Sequence, residues 1–393
     1  MTNGSGWGAE LSKYLLPGVI LQSVLIGGGY ATGREIVEFG AKFGAMGWMA
    51  GLASFFGFAL AAVLMFEMVR LFKLYDFKSL LKALIGPFFI AFDVAYFVLM
   101  IIIIAIMSSA TGSIVEQITG LNYWIGVGII TVVVGVLNFY GEKIITYFET
   151  IGTILLYIGY IMFSALVISH GTGNISQVMA TGDISYTPDA TIWEVLWTGI
   201  LYVGYNLVVY PPCFFAVKKQ TKTRHSVIGG LFAGVLMVIP WFMTYFAIMS
   251  FYPNKDILSA PVPWLTMMQA VNAPSYLFSF FGLVMGWTLI ETATGMIHAM
   301  VGRINKGLEE SGKPEMSKST RAGVTIVILV ASAILAKFGI IALIAQGYNA
   351  LSYVIVALLL VPLCTVGLYK IVKREQEIHS GAVVEEKSDA EAA

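Results

Sequence analysis

Charge is what this chain has least of. Only 12% of its 393 residues are Asp, Glu, Lys or Arg, where a soluble domain carries roughly a quarter. The 23 basic residues equal the 23 acidic ones, so the chain shows no electrostatic footprint for nucleic acid. Its two cysteines, Cys213 and Cys364, both fall in apolar runs and supply neither a disulfide framework nor a metal site. Its four histidines accompany no HExxH, GxSxG or P-loop pattern. Hydrolytic and ATP-driven chemistry therefore have no motif, and neither an enzyme nor a cofactor is expected. The start, "MTNGSGWGAELSK", lacks the basic, apolar and small-residue order of a cleaved signal peptide.

What is present is hydrocarbon. The chain is 58% hydrophobic with a mean hydropathy of +0.82. The excess comes as runs long enough to cross a bilayer, which takes about 20 residues each. Ten spans are expected, at about 14–40, 45–71, 87–115, 123–140, 144–169, 191–217, 226–250, 275–302, 319–337 and 341–372. The expected fold is an all-α integral membrane protein in a single domain, 1–373. The tail 374–393, which ends in "GAVVEEKSDAEAA", turns acidic and is expected to be disordered.

Basic residues orient the spans. With an even number of crossings, Lys42, Lys255 and Lys337 fall on one side and Arg34 lies inside a span. Every other lysine and arginine falls on the opposite side. The positive-inside rule makes that side the cytoplasm, with both termini there, in a multi-pass protein of the plasma membrane. The segment "DFKSLLKALIG" (76–86) alternates apolar and basic residues at helical spacing and is expected on the cytoplasmic surface. The segment 257–274 is apolar and too short to cross; it reads as an external lid helix or an inert interfacial segment. Asn174-Ile-Ser176 is a sequon placed in an external loop.

The chain divides into two halves of five spans, about 14–169 and 191–372, and an odd number per half inverts the second. The first span of each half is interrupted: "GGGYATG" (27–33) in span one and "GYNLVVYPP" (204–212) in span six. Gly- or Pro-broken spans at corresponding positions mark transporter binding sites. Glycine weakens a helix by about 1 kcal/mol relative to alanine. A helix unwound in hydrocarbon strands amides and carbonyls unless protein, water or ligand meets them. Freed amides suit a carboxylate and freed carbonyls suit a small cation. Gly27, Gly28, Gly29, Thr32 and Gly33 are therefore candidate substrate residues. Gly29 and Gly33 also form a GxxxG pair, which would serve helix packing. That reading leaves Arg34, Glu35 and Glu38 unexplained. A dinucleotide loop is excluded, because Thr32 stands at its third glycine position and no βαβ unit surrounds it.

Arg34 and Glu38 are four apart and are expected to pair. Glu35 points elsewhere and either braces the loop by accepting amide hydrogens, the reading favoured here, or titrates. In span six, Pro211 and Pro212 break the helix, Asn206 can donate and accept, and Tyr202, Tyr205 and Tyr210 are candidate pocket walls. In span eight, Glu291, Gly295 and His298 share a stripe beside Thr294. Its oxygens suit Na⁺; Glu291 or His298 suits a proton instead; a polar packing stripe is the inert alternative. Asp93, Glu149 and Glu67 read as interface pairs or caps.

The stretch "GGGYATGREIVEF" resembles the glycine-rich first helix of the YkvI-type amino-acid permeases, within the amino acid–polyamine–organocation transporters. The resemblance extends from Leu11 to about Lys373. It implies a LeuT-like five-plus-five inverted repeat with helices 1 and 6 broken and substrate held between them. In sodium-coupled members Na⁺ sits between first-helix carbonyls and span-eight hydroxyls, which here implies Gly27 and Thr294, with Glu291, Thr292 and Glu35 as further coupling candidates. Three departures stand out. Arg34 replaces a glutamine-like residue, Thr292 and Thr294 are not adjacent, and span five has no lysine. Na⁺ and H⁺ both remain open as coupling ion, with Na⁺ slightly favoured.

The expected function is secondary active transport of amino acids or similar small zwitterions by alternating access. The expected partners are the lipid bilayer and a small-molecule substrate. A membrane ligand sensor and an ion channel are the alternatives. A sensor would carry a soluble output domain, for which the loop at about 303–318 is too short. A channel would show charge rings or a filter, and neither is evident.

Overall fold

The computed structural model describes residues 6–140 and 142–380, apart from the side chains of 6–9, 28, 29, 140 and 142–154. Within them every regular element is a helix. Eight helices among the described residues are long and apolar enough to cross a membrane. Tyr123–Phe139 is apolar but shorter, and span one is divided among three helices. Each expected span has a helical counterpart at its place. Several run past the expected ends: span five is Glu142–Thr181 and span eight is Ser275–Glu310. The last helix, Leu368–His379, carries residues 374–379 of the tail that composition assigned to disorder. Lys387 and the rest of the tail, like the side chains of Lys143 and Glu149, lie outside the described residues.

Small residues let the central helices approach closely. Span two (Gly47–Phe72) packs along span seven (Thr223–Met249) and the first helix of span six (Ile192–Asn206). A Cβ added at Gly234 would lie 2.8 Å from the Ala59 Cβ, and one at Gly199 would lie 2.4 Å from the Ala50 carbonyl oxygen. Lipid chains are as apolar as leucine, so such close contact supplies association that burial of apolar surface alone does not. Span three (Phe89–Thr119) packs on spans four, eight and nine, and span eight also packs on span five.

One face of the bundle gathers the basic residues, as the alternation of spans requires. Gln220 donates to the Lys13 carbonyl at 2.9 Å. Arg70 bonds Glu67 at 2.7 Å and Glu375 at 2.8 Å. Arg303 pairs with Asp93 and Lys78 with Glu310, so Asp93 and Glu67 are both ion-paired. Helix Phe77–Ile85 lies at this face, capped by Asp76, whose carboxylate accepts from the Ser79 amide at 3.0 Å. Its apolar residues Phe77, Leu80, Leu81 and Leu84 are buried, and Phe77 meets the rings of Phe92 and Phe214. The apolar side of this helix is thus covered by protein. The sequon is relocated. Asn174 lies on the span-five helix, and its amide donates to the carbonyls of Met249 and Tyr252 at 2.9 and 3.0 Å.

Candidate functional site

Span one consists of Gly6–Leu25, Gly28–Ala31 and Arg34–Phe39. It is interrupted twice, at Ile26–Gly27 and at Thr32–Gly33. Gly33 adopts φ +84°, a left-handed conformation that a Cβ disfavours. The break is short, because the Ala31 amide still reaches the Gly27 carbonyl at 3.0 Å and the Gly33 amide reaches Tyr30 at 2.9 Å. Span six breaks differently. Its α-helix ends at Asn206 and passes into 3-10 turns at Leu207–Val209 and Pro211–Cys213 before Phe214–Val217. The residues flanking these turns keep right-handed dihedrals. The expected interruption is therefore a change of helix type and not an open loop; Pro211 and Pro212 withhold the amides an α-helix needs.

A small cavity lies where the two breaks meet. Val24, Leu25, Gly27 and Glu35 of span one line it, with Ile103 and Met107 of span three. The second half of the chain contributes Tyr205, Asn206, Val208 and Val209 of span six, Thr292 and Met296 of span eight, and Tyr348 of span ten. About 30 Å³ is open to the centres of water molecules, enough for a water or two. A larger guest requires the walls to move.

Glu35 is the one ionisable carboxylate in the lining, and it is buried. The Tyr205 hydroxyl donates to its Oε2 at 2.6 Å. Among the described residues no amide donates to it and no basic side chain pairs with it. The favoured expectation that Glu35 braces the loop through amides is corrected: its partner is a phenol on the facing span. Arg34, its neighbour, turns the other way. It lies 3.6 Å from Glu38 and donates to the Leu258 carbonyl at 2.5 Å. Glu38 also takes Lys42 at 2.6 Å.

On span eight the structure selects a different threonine. The Thr292 side chain packs on Gly27, where an added Cβ would meet its Cγ2 at 3.3 Å and its Oγ1 at 3.4 Å. Thr294 is buried outside the cavity lining and donates to the Ile290 carbonyl at 2.7 Å. Glu291 also lies outside the lining and has a partner of its own, and His298 is on an exposed surface. Of the pair expected to hold Na⁺, Gly27 lines the cavity and Thr294 does not. The helix is rotated so that Thr292 and Met296, four residues apart, face the cavity together.

Of the remaining candidates, Asn206 lines the cavity, and Thr32, Gly33, Tyr202 and Tyr210 do not. Gly28 and Gly29 sit in the short helix Gly28–Ala31. Thr32 is buried; its hydroxyl accepts the Arg34 amide at 3.2 Å and its carbonyl accepts the Trp264 amide at 3.3 Å. Tyr202 lies behind Tyr205, packed against Phe39 and Phe58. Tyr210 donates to the Phe58 carbonyl at 3.2 Å, away from the cavity. Asn206 lines the cavity while its amide donates to the Tyr202 carbonyl at 2.8 Å. The segment 257–274 packs over Thr32 and Gly33. In its helix Pro263–Ala270, Trp264, Leu265, Met267 and Met268 are buried, and a Cβ at Gly33 would sit 3.0 Å from Trp264.

Tyr348, Ile103, Met107 and Met296 were not anticipated. Tyr348 had a visible signal: Gln346, Gly347, Tyr348 and Asn349 form a polar island in an otherwise apolar span. The structure shows that island as a π-helical turn, Leu343–Tyr348, a widening often found at functional sites.

No family model matches this chain, and no curated protein does. Among solved structures it is similar to a Na⁺-coupled sialic acid symporter in a substrate-bound, outward-open state. That match has 14% identity and a TM-score of 0.52 and covers 90% of this chain and 84% of the other. It is also similar to the Eremococcus coleocola manganese transporter in complex with an aromatic bis-isothiourea compound. There the identity is 14% and the TM-score 0.51, over 92% of this chain and 80% of that one. At such identities the likeness is one of fold: an all-helical, LeuT-like membrane fold.

Proposed function

We propose that this protein is a secondary active transporter that carries amino acids or similar small zwitterions by alternating access, and not an enzyme. The observation that carries the reading is the cavity at the meeting of two interrupted spans, walled by both halves of the chain. Such a position is equally remote from both solutions and lies on the seam along which the halves rock. The cavity is too small for cargo as it stands, which is what a closed stage of the cycle requires. The lid over Gly33 on one face and the ion-paired basic face on the other are the two barriers that open in turn.

The finer parts of the reading are also proposals. The chain is a member of the YkvI-type permeases, it resides in the plasma membrane, and its basic face, with both termini, is cytoplasmic. Na⁺ is the coupling ion we favour. The Thr292 hydroxyl beside Gly27 supplies an oxygen next to the first break, and one neighbour in fold is a Na⁺-coupled symporter. Uptake of labelled amino acids into proteoliposomes, with Na⁺ and H⁺ gradients imposed separately, tests the whole. Accumulation driven by one gradient supports transport and identifies the ion. No accumulation under either gradient refutes coupled amino-acid transport.

A further inference from the structure

The sequence made Glu35 a brace for the loop or one candidate for the coupling ion. Its surroundings point elsewhere. The carboxylate is buried in a membrane interior with no basic partner among the described residues. A charge there is costly unless something compensates it. The titratable groups that face it are all phenols: Tyr30 on its own span, Tyr160 on span five, Tyr202 and Tyr205 on span six and Tyr348 on span ten. None supplies positive charge. Arg34 is engaged with Glu38 and with the lid carbonyl of Leu258.

The walls discriminate between kinds of cation. A bare metal ion wants a cage of oxygens. Glu35 is flanked instead by aromatic rings: Tyr205 and Tyr348 stack with centroids 4.3 Å apart, and Tyr202 meets Tyr205 edge-on at 5.7 Å. Beyond them the lining is mostly apolar, with Ile103, Met107, Val208 and Met296, and polar at Asn206 and Thr292. A carboxylate set among tyrosine rings, with hydrocarbon behind, matches an organic ammonium on an apolar body. Tyr205 occupies Oε2 and orients the group. The Oε1 atom accepts no hydrogen bond among the described residues.

We infer that Glu35, oriented by Tyr205, is the subsite for the protonated amine of the cargo, and that a primary amine on a small apolar body is the recognised chemistry, with or without a carboxylate. The inference rests on the transporter reading above for the opening that admits such a guest. It separates two jobs within one cavity: Glu35 recognises cargo, and Thr292 beside Gly27 serves the coupling cation.

The test uses the full-length protein purified in detergent, with thermal unfolding as the readout and four probes: isoamylamine, L-leucine, 4-methylpentanoate and NaCl. Isoamylamine and L-leucine should stabilise the wild type, and 4-methylpentanoate, which lacks the amine, should not. Glu35→Gln keeps the shape and the bond to Tyr205 but removes the charge. It should weaken both amine probes about 10- to 100-fold and leave any NaCl effect in place. Stabilisation by 4-methylpentanoate alone, amine binding unchanged in Glu35→Gln, or an NaCl effect lost in that variant would each overturn the assignment. Failure of both amines on the wild type overturns it too, whether or not the variant folds. Amine binding lost in Glu35→Gln, with no uptake by wild-type proteoliposomes, would sink the transporter reading and leave the subsite standing.

Discussion

Tyr205 donates its hydroxyl to Glu35 at 2.6 Å and stacks its ring on Tyr348. One side chain of span six thereby joins the second half of span one to span ten across the cavity. Tyr205→Phe should retain the stacking and lose the bond. Interhelical hydrogen bonds in membranes contribute about 1–2 kcal/mol at most, so the variant should lose roughly that much stability in denaturant titration. Unchanged stability would mean that water or another donor replaces the phenol.

Thr292 and Thr294 should behave differently. Valine keeps the shape of threonine and removes its hydroxyl. Thr292→Val takes an oxygen from beside Gly27 and should weaken Na⁺ activation of uptake about tenfold or more, as loss of a bond to a charged group does. Thr294→Val removes only a bond to its own helix at Ile290 and should leave Na⁺ activation near wild type. The reverse order, read from uptake at graded Na⁺, would return Thr294 to the ion site.

The approach of spans three and four gives a paired test on one helix. A Cβ at Gly126 would lie 2.7 Å from the Thr111 carbonyl oxygen and 2.8 Å from the Gly112 Cα, whereas one at Gly128 meets nothing within 4 Å. Backbone cannot yield as a flexible side chain does, so Gly126→Ala should cost about 1–3 kcal/mol. Gly128→Ala should leave the unfolding midpoint unchanged or slightly raised. Equal midpoints for the two variants would contradict the close contact.

Asp76 links stability to pH at the basic face. Burial pushes its carboxyl up, but the Ser79 hydroxyl and amide and the Lys306 ammonium outweigh burial and hold it below the ordinary value. A depressed folded value stabilises the protein above the unfolded carboxylate value, about 3.9. That stabilisation is lost as pH falls through the folded value. The side chain is 39% exposed, so solvent screening keeps the effect under about 1 kcal/mol. The midpoint difference between wild type and Asp76→Asn should be positive at neutral pH and close as the medium is acidified below about pH 4. A difference that persists unchanged in acid would assign the stabilisation to Asp76 as a neutral cap.

Much of the architecture was legible along the chain, because its causes are local. Apolar runs have to be helices in lipid, since only a helix satisfies its own amides and carbonyls there. Glycines at 27–29 and 33, and prolines at 211 and 212, disturb that pattern wherever the chain goes. The i, i+4 spacing of Arg34 and Glu38 brought them together as it must on one helix. Spacing also showed that Thr292 and Thr294 diverge, but not which of them faces inward. Spacing gives relative directions around a helix and says nothing of how the helix is rotated against its neighbours. That rotation is set by packing between spans distant in sequence. The same packing brought Tyr205 to Glu35, Trp264 over Gly33 and Tyr348 into the cavity wall. It also left Glu35 facing phenols instead of amides, which no local pattern encodes.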